Sequence, residues 1–515
     1  MGLEHHQCVR LLKAVYGLVN APRRWWSRVR KDMARLGWQE SAIEPCLWFL
    51  KDPKTGALKA MAVAHVDDFM IAIDNHSDFA VKALEDLYAA YEWGSWESRD
   101  FVQCGTRIQQ EYDSLHDRWG RIHLSMYDYA MQMEEIDVPS QRRKEPQQPV
   151  SATEATRLKG AFGQLMWLAT QGLPTIMAQL SLLLGYSNCA TVNTMLQVNK
   201  LIRRAKIEAK DPIILERHAN PCVVTFTDAA WKVRRDDTSQ GGYLVFVTDH
   251  ALMQNREAPL SLLAWQSAKL PRVCRSSSAA EVQAAGDGQE EMEFCRLLLS
   301  ELLFGDIYMK EWATDCARVP GALVLDCRGV FDALDKSESS ALGMRAKRSA
   351  IEALALKKGM SLSKTSLRWC RSGAQLADCM TKDSEQARSA FNLWKQRRSW
   401  KLIYDNEYIS EKNRRKRGLA TLDDTKDHEE FENFNGYADA DDAWQLVPEN
   451  WLEDYDEMEI PCDSKDPDWR RAIHGGGARP DQAMRAAESG SSGHVDGTTA
   501  SSAAVAQTPL QQPHH

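Results

Sequence analysis

Two adjacent aspartates, Asp67 and Asp68, interrupt an otherwise apolar stretch, VAHVDDFMIAI, between Val63 and Ile73. The apolar segments on either side have the length and composition of β-strands, so the sequence predicts a β-hairpin with the acidic pair at its tip. Two carboxylates held so close repel each other unless a cation lies between them, and Mg²⁺ prefers such oxygen ligands. An ordinary turn is the alternative, because aspartate is also favoured in turns.

Length and composition exclude several classes of protein. A chain of 515 residues exceeds what one hydrophobic core supports, so it should contain more than one domain. Its 43% hydrophobic and 26% charged residues are typical of a globular protein, and no apolar run is long enough to span a membrane. The first twenty residues lack a signal-peptide pattern, and the twelve cysteines form no CxxC pair. We therefore expect a cytoplasmic or nuclear chain, neither secreted nor in a membrane, without a zinc site or disulfide framework.

The net charge of −8 is unevenly distributed along the chain. About 24 acidic and about 12 basic residues lie from Lys401 onward, which leaves the first 400 residues with a charge of about +4. A slightly basic body is compatible with a nucleic-acid partner, since phosphate backbones attract lysine and arginine. The acidic tail is predicted to be largely disordered.

A basic amphipathic helix is predicted before the hairpin. Pro22 suits its first turn, and apolar residues recur at spacings of three or four. The apolar positions are Trp25, Val29, Met33 and Leu36, and the basic positions are Arg24, Arg28, Lys31 and Arg35. A solvated face on a core helix is the alternative to a nucleic-acid contact. After the hairpin, Ser77 is predicted to cap a second helix, and strands are predicted over Phe101–Gln110 and Arg121–Ser125.

The whole chain is predicted to contain four parts, with a fold class of α/β and α+β. Residues 1–138 form the first part, residues 139–220 a linker and helical connection, residues 221–400 a mixed-sheet domain and residues 401–515 the tail. In the third part strands are followed by a long helix after Ser278, a helix over Leu342–Lys358 and a last helix that begins near Ala374.

Four acids of the third part lie at positions of one kind. They are Asp228, Glu281, Asp326 and Asp378. Asp228 and Asp326 each end a predicted strand, Glu281 starts the long helix, and Asp378 lies in the opening turns of the last helix. At such positions an α/β sheet can bring distant side chains into one pocket. Four converging carboxylates would hold two Mg²⁺ ions for phosphodiester hydrolysis. Each acid alone could equally be a helix cap or a surface residue.

Several segments resemble copia-type LTR retrotransposon Pol polyproteins. The stretches LLKAVYGLVNAPRRWW, EPCLWF and VAHVDDFMIA are similar to reverse-transcriptase motifs of that family, and LKGAFGQLMWLAT is similar to its connection segment. FTDAAW, LLAWQSAKLPRVCRSSSAAEVQAA, VLDCRGVFDAL and QLADCMTK are similar to motifs of its RNase H domain. The motifs follow the family order from about Val9 to Lys382. The resemblance implies a partial reverse-transcriptase palm in residues 1–138 and an RNase H-like domain in residues 221–400.

The resemblance also implies roles for individual residues. Asp67 and Asp68 match the carboxylates that bind the polymerase metals. Residues that match the nucleotide and template site are Gly17, Leu18, Ala21, Pro22 and Arg23. The RNase H metal ligands match Asp228, Glu281, Asp326 and Asp378, in family order. The implied cofactor is Mg²⁺, with Mn²⁺ as the alternative, and the implied partners are an RNA/DNA hybrid, a template-primer and, for a completed polymerase, a dNTP.

Departures from the family pattern mainly concern the polymerase. The family places a third metal-binding carboxylate some tens of residues before the segment at Tyr16, and nothing in this sequence matches it. The expected explanations are an N-terminally truncated gene model, a decayed element or one processed piece of a polyprotein. Since an incomplete metal set costs orders of magnitude in rate, DNA synthesis by this chain alone should be negligible. His65 replaces the usual tyrosine, and Trp369 stands where the family often has histidine. The main prediction is RNase H-type hydrolysis; the alternative is a catalytically dead remnant that only binds nucleic acid or a partner.

Overall fold

The computed structural model describes residues 18–114, 118–335, 347–402 and 416–419. Within these ranges helices and sheets are mixed, which confirms the general α/β and α+β character of the chain. None of the described helices is both long enough and apolar enough to cross a membrane. The prediction made for the tail falls almost entirely outside the described residues.

The N-terminal part is an antiparallel sheet packed against two helices. Its elements are α1 (Ala21–Arg35), β1 (Gln39–Glu40), β2 (Leu47–Lys51), β3 (Leu58–His65), β4 (Asp68–Ile73) and α2 (Asp78–Ala90). The strands are hydrogen-bonded in chain order, and the apolar positions Val29 and Met33 of α1 are buried with Leu84 and Leu87 of α2. The predicted helix and hairpin are both confirmed. Ser77 precedes α2 as predicted, but its side chain makes no capping hydrogen bond.

A second sheet and a helical cluster follow. Their elements are β5 (Asp100–Gln103), β6 (Thr106–Asp113), β7 (Arg118–Ser125), α3 (Tyr127–Gln132), α4 (Ser140–Arg143), α5 (Ala152–Gln171), α6 (Met177–Leu184), α7 (Val192–Glu208) and β8 (Ile213–Leu215). The strand order is β5-β6-β7-β8, so β8 joins a hairpin from which it is separated by five helices in sequence. The single strand predicted over Phe101–Gln110 is wrong. The chain reverses at Cys104 and Gly105, whose φ angles of +52° and +83° are typical of a two-residue hairpin turn.

The largest part is a six-stranded mixed sheet with helices on both faces. Its elements are β9 (Pro221–Ala230), β10 (Gln240–Asp249), α8 (His250–Met253), β11 (Ala258–Lys269), α9 (Ser277–Phe304), α10 (Trp312–Cys316), β12 (Gly321–Leu325), α11 (Arg328–Asp335), α12 (Lys347–Leu362), β13 (Thr365–Trp369), α13 (Glu385–Arg397) and β14 (Ser399–Trp400). The strand order is β13-β12-β9-β10-β11-β14, in which β12 runs parallel to both β9 and β13. Met292 of α9 packs on one face, and Phe391 of α13 packs on the other. The central strand β9 is therefore covered on both sides.

The N-terminal sheet contacts the end of α9. Glu301 is 3% exposed, and its carboxylate accepts hydrogen bonds from Ser41 Oγ at 2.6 Å and from the backbone N–H of Ala42 at 2.8 Å. Lys51 Nζ lies 2.9 Å from Asp306 Oδ1 just beyond the helix. A buried and an exposed polar contact thus join the two parts.

Candidate metal centre

Asp228 lies near the end of β9 in the centre of the large sheet. The neighbouring strand β10 places Gly242 opposite it, and β12 lies on its other side. The Asp228 side chain is only 2% exposed. Burial raises the pKa of this carboxyl, and the nearby positive charge of Lys382 offsets only part of the effect. Asp228 is therefore a buried acid whose charged form requires a compensating cation.

Two further aspartates reach Asp228 from other elements. Asp326 directly follows β12, whose parallel pairing with β9 brings the two strand ends to the same edge of the sheet. Asp378 lies in a short 3-10 helix, Leu376–Met380. One carboxylate oxygen from each of the three aspartates lies within 4.8 Å of the other two.

The location of Asp378 corrects one prediction. The sequence predicts it in the opening turns of the last helix, whereas the 3-10 helix that carries it ends before α13 begins. Ser384 is the reason, because its side chain accepts a hydrogen bond from the backbone N–H of Ala387 and so caps α13 as a separate helix.

Glu281 approaches the same site from the first turns of α9. The helix can lie close to β9 because Gly288 has no side chain; a Cβ there would lie 2.4 Å from Thr227 Cγ2. Glu281 is 8% exposed. Burial raises its pKa to about 10, and the negative charges of Asp228 and Asp326 add to the rise. Glu281 lies outside the 4.8 Å group, but the structure brings all four predicted acids into one electrostatic environment.

Lys382 contributes a positive charge to the cluster. Its Nζ lies 2.9 Å from Asp378 Oδ1 and 3.4 Å from Asp228 Oδ2. Burial lowers the pKa of Lys382, but the surrounding carboxylates outweigh burial and the net shift is upward. Thr381 Oγ1 donates a hydrogen bond to Asp228 Oδ2. Neither residue was predicted from the sequence, although the four-residue spacing from Asp378 is a signal from which the lysine could be found.

The turn that carries Asp378 is held tightly against the sheet. Gln375 is fully buried; its Nε2 donates to the backbone oxygen of Thr227 at 3.0 Å, and its Oε1 accepts from the backbone N–H of Ala377 at 3.2 Å. Met380 lies directly over Gly242, where an added Cβ would lie 2.3 Å from Met380 Cβ. The turn therefore has little room to shift.

Trp369 is a buried side chain that holds the main chain at Asp326. It is 3% exposed, and its indole Nε1 donates to the backbone oxygen of Asp326 at 3.1 Å. This hydrogen bond fixes the main chain where Asp326 leaves β12. The sequence marks Trp369 only as a departure from the family pattern, and the contact gives it a structural role.

The donor set fits a divalent metal ion. Burial raises the pKa values of Asp228, Asp326 and Asp378, and their mutual repulsion adds to the rise. The charged forms are therefore disfavoured until positive charge is added, and Lys382 supplies a single unit of it. Clustered carboxylate oxygens from separate chain segments are the ligands that Mg²⁺ and Mn²⁺ prefer.

Comparison with known proteins agrees with the sequence motifs. No protein-family model matches the chain, and no solved structure matches it. Over 298 residues it is 24% identical to each of two retrovirus-related Pol polyproteins, from transposons RE1 and RE2 of Arabidopsis thaliana. The chain is similar to retrotransposon Pol polyproteins. The predicted resemblance is thereby confirmed; the matched region covers 57% of this Pol-like chain and 19% of each relative.

The acidic pair of this Pol-like chain lies at the tip of the β3–β4 hairpin. His65 pairs with Asp68 across the hairpin, and Trp25 Nε1 donates to the backbone oxygen of Val66 in the turn at 2.5 Å. Asp67 is exposed. Partial burial raises the pKa of Asp68, with His65 opposing the rise and Asp67 adding to it. Within the described residues the pair belongs to no group of three clustered metal-ligating side chains.

The residues predicted for the nucleotide and template site lie at the start of α1. Gly17 falls outside the described residues. Leu18 is 42% exposed, Ala21 is partly buried, and Pro22 and Arg23 are exposed. Arg23 also lines an open basic groove of about 360 Å³, whose other residues are Asn20, Arg24, Ser27, Arg28 and Lys31. Their part in binding a nucleotide or template stays a prediction.

Proposed function

We propose that residues 221–400 form an RNase H-type nuclease that hydrolyses the RNA strand of an RNA/DNA hybrid with divalent metal ions. The observation that carries the proposal is the convergence of Asp228, Glu281, Asp326 and Asp378, which are far apart in sequence. Because uncompensated buried charges are costly, such a cluster requires a cation partner when its carboxylates are charged. The similarity to Pol polyproteins supports the same class of activity.

The chemistry divides between the ions and the protein. Asp228, Asp326 and Asp378 would hold the ions, with Glu281 beside them; bound ions activate water and stabilise the leaving oxygen of a phosphodiester. The protein holds the negative charges in fixed positions and keeps them largely out of water. With a pKa of about 10, Glu281 holds a proton at neutral pH when no ion is bound. Lys382, whose side chain is 44% exposed, would pair with a phosphate group of the substrate.

The proposed substrate is recognised by shape. An RNA/DNA hybrid presents 2′-hydroxyls and a helix close to the A form, and proteins read these features in preference to base sequence. The basic face of α1 is a candidate contact for the phosphate backbone, with Lys31 among its exposed residues. We therefore expect cleavage with little sequence preference and with a strong dependence on salt.

The test is cleavage of a labelled hybrid by the full chain with Mg²⁺. The native protein should nick the RNA strand, and Asp228→Asn should abolish cleavage because it removes a central carboxylate without changing the side-chain size. Asp86→Asn is the matched control, since Asp86 lies on the surface of α2 and pairs with Lys82. Cleavage that persists in Asp228→Asn would remove the assignment, and cleavage of double-stranded DNA would contradict the substrate class.

The N-terminal part is proposed to be a reverse-transcriptase region in which Asp67 and Asp68 are polymerase carboxylates. A template-primer and a dNTP would be its partners. Since no third carboxylate clusters with the pair in the described residues, we expect negligible DNA synthesis by this chain. Primer extension on an RNA template checks this, and extension that Asp68→Asn abolishes would show that the site is complete.

The second candidate is a catalytically dead protein that only binds nucleic acid or a partner. The ion pairs of Lys382 with Asp228 and Asp378 favour it, because they already neutralise part of the cluster. Under this alternative Mg²⁺ would not raise the melting temperature, whereas an ion that binds the folded state must raise it. Melting curves with and without Mg²⁺ therefore separate the two candidates.

A further inference from the structure

The segment that carries Asp378 contacts the helical cluster as well as the sheet. We name residues 376–383 the metal-site turn. At its end, Asp383 Oδ1 accepts hydrogen bonds from Arg204 Nη1 of α7 at 2.7 Å and from Arg388 Nη1 of α13 at 2.8 Å. Arg204 Nη2 also donates to the backbone oxygen of Thr175 at 3.0 Å. The side chains of Arg204 and Asp383 are 16% and 25% exposed, so this ion pair is mostly shielded from water.

A buried series of hydrogen bonds reaches the same turn from α6. Gln240 Nε2 donates to Ser181 Oγ of α6 at 3.0 Å and to Ser267 Oγ of β11 at 2.8 Å. Ser267 Oγ in turn donates to the backbone oxygen of Met380. Gln240 is fully buried, while Ser181 and Ser267 are 9% and 6% exposed. Because breaking a buried polar network leaves unpaired groups, α6 and the metal-site turn are held in one arrangement.

Both connections end at residues adjacent to the metal centre. Thr381 follows Met380 and donates its hydroxyl hydrogen to Asp228, while Lys382 precedes Asp383 and pairs with Asp378. The backbone N–H groups of Thr381 and Lys382 both donate to the backbone oxygen of Asp378 at 3.1 Å. A displacement at either end of this segment would therefore move the Asp378 carboxylate away from its neighbours.

We propose that the helical cluster, α3–α7, is a positioning element for the metal centre. In it Arg204 and Ser181 fix the metal-site turn, so that Asp378 stays beside Asp228 and Asp326. Arg204 and Ser181 are positioning residues, since they act through Asp383 and Met380 and do not belong to the acid cluster. The inference rests on the proposed function only in treating the acids as metal ligands. It extends the site beyond residues 221–400 into a part of the chain that carries none of the predicted RNase H acids.

The test uses three variants of the full chain. Arg204→Met removes the charge and keeps most of the aliphatic stem, whereas Arg204→Lys retains a cation that can reach Asp383. Arg203→Met is the matched control, because Arg203 is the adjacent residue of α7 and pairs with Glu135 outside the site. Hydrogen exchange of the amides in residues 376–383, in metal-free buffer, measures the turn directly. Mn²⁺ binding, followed by electron paramagnetic resonance, measures the ligand set without any nuclease assay.

We expect Arg204→Met to speed exchange in the metal-site turn and to weaken Mn²⁺ binding about 10-fold, as for other residues that orient metal ligands. Arg204→Lys should restore most of both properties, and Arg203→Met should change neither. Unchanged exchange in a folded Arg204→Met protein would overturn the proposal, as would faster exchange with unchanged Mn²⁺ affinity. If the native protein binds Mn²⁺ but cleaves no hybrid, the proposed function is wrong and the positioning role of Arg204 still stands. If the native protein binds no Mn²⁺, both the proposed function and the positioning role are wrong.

Discussion

The two acidic centres of this chain are built in opposite ways. Asp67 and Asp68 are adjacent in sequence and lie at one hairpin turn, where Asp67 stays exposed. The second centre takes one acid from each of four distant segments. Asp228 and Glu281 are buried and the other two are partly buried, and burial raises the pKa of Glu281 to about 10. Adjacent acids are easy to find in a sequence but can remain solvated. Converging acids are hard to find, yet burial makes their charged forms dependent on a cation, and this dependence is the better sign of a metal site.

Gly242→Ala is expected to have the largest effect on the buried centre and to leave the hairpin centre unchanged. The new Cβ would lie 2.3 Å from Met380 Cβ and 3.1 Å from the backbone oxygens of Met380 and Gln266, so the metal-site turn would have to move. We expect a loss of about 10- to 100-fold in Mn²⁺ affinity, in the range seen when the support of metal ligands is removed. Overpacking should also lower the free energy of unfolding by about 1–3 kcal/mol.

Gly160→Ala is the control for that substitution. Gly160 lies inside α5, and nothing lies within 4 Å of an added Cβ. The change should stabilise the helix by about 0.5–1 kcal/mol and leave Mn²⁺ binding unaltered. Equal Mn²⁺ affinity in native and Gly242→Ala proteins would show that the position of the metal-site turn does not control metal binding.

The pH dependence of stability should also distinguish the buried centre from the exposed one. Glu281 holds its proton up to a pH of about 10 in the folded protein but only to about 4.5 when unfolded. Between these values folding requires proton uptake, so this contribution to stability is complete below about 4.5 and is lost as the pH rises. Glu281→Gln should therefore melt at a higher temperature than the native protein at pH 8 without metal. Melting curves at pH 5 and pH 8 check the sign, and a lower melting temperature for the variant at pH 8 would contradict it.

The smallest effect is expected at the exposed centre. Asp67→Asn changes a solvated turn residue, so the free energy of unfolding should shift by no more than about 0.5 kcal/mol. Mg²⁺ should raise the melting temperature of Asp67→Asn as much as that of the native protein. Loss of the Mg²⁺ effect in this variant would place the main metal site at the hairpin, and the contrast between the two centres would fail.

The sequence was most informative where structure is local. The spacing of Val29 and Met33 predicted α1, and the apolar runs around Asp67 predicted the hairpin, because both patterns depend only on near neighbours. The strand predicted over Phe101–Gln110 was wrong because Cys104 has a positive φ angle, which the residue type does not indicate.

The acid cluster could be predicted only as an ordered set of motifs. Its geometry depends on the parallel pairing of β12 with β9 and on the close approach of α9 at Gly288, neither of which a local pattern specifies. The contribution of Lys382 and the connection from Arg204 to Asp383 were not predicted, because they depend on how separate elements pack together.

Direct titration with Mn²⁺ tests the central claim, that the buried acids form a divalent-metal site. The native full chain should bind Mn²⁺ saturably, Asp326→Asn should weaken binding at least about 10-fold, and the surface control Asp86→Asn should bind like the native protein. Mg²⁺ should displace the bound Mn²⁺. Identical titrations for the native and Asp326→Asn proteins would contradict the account.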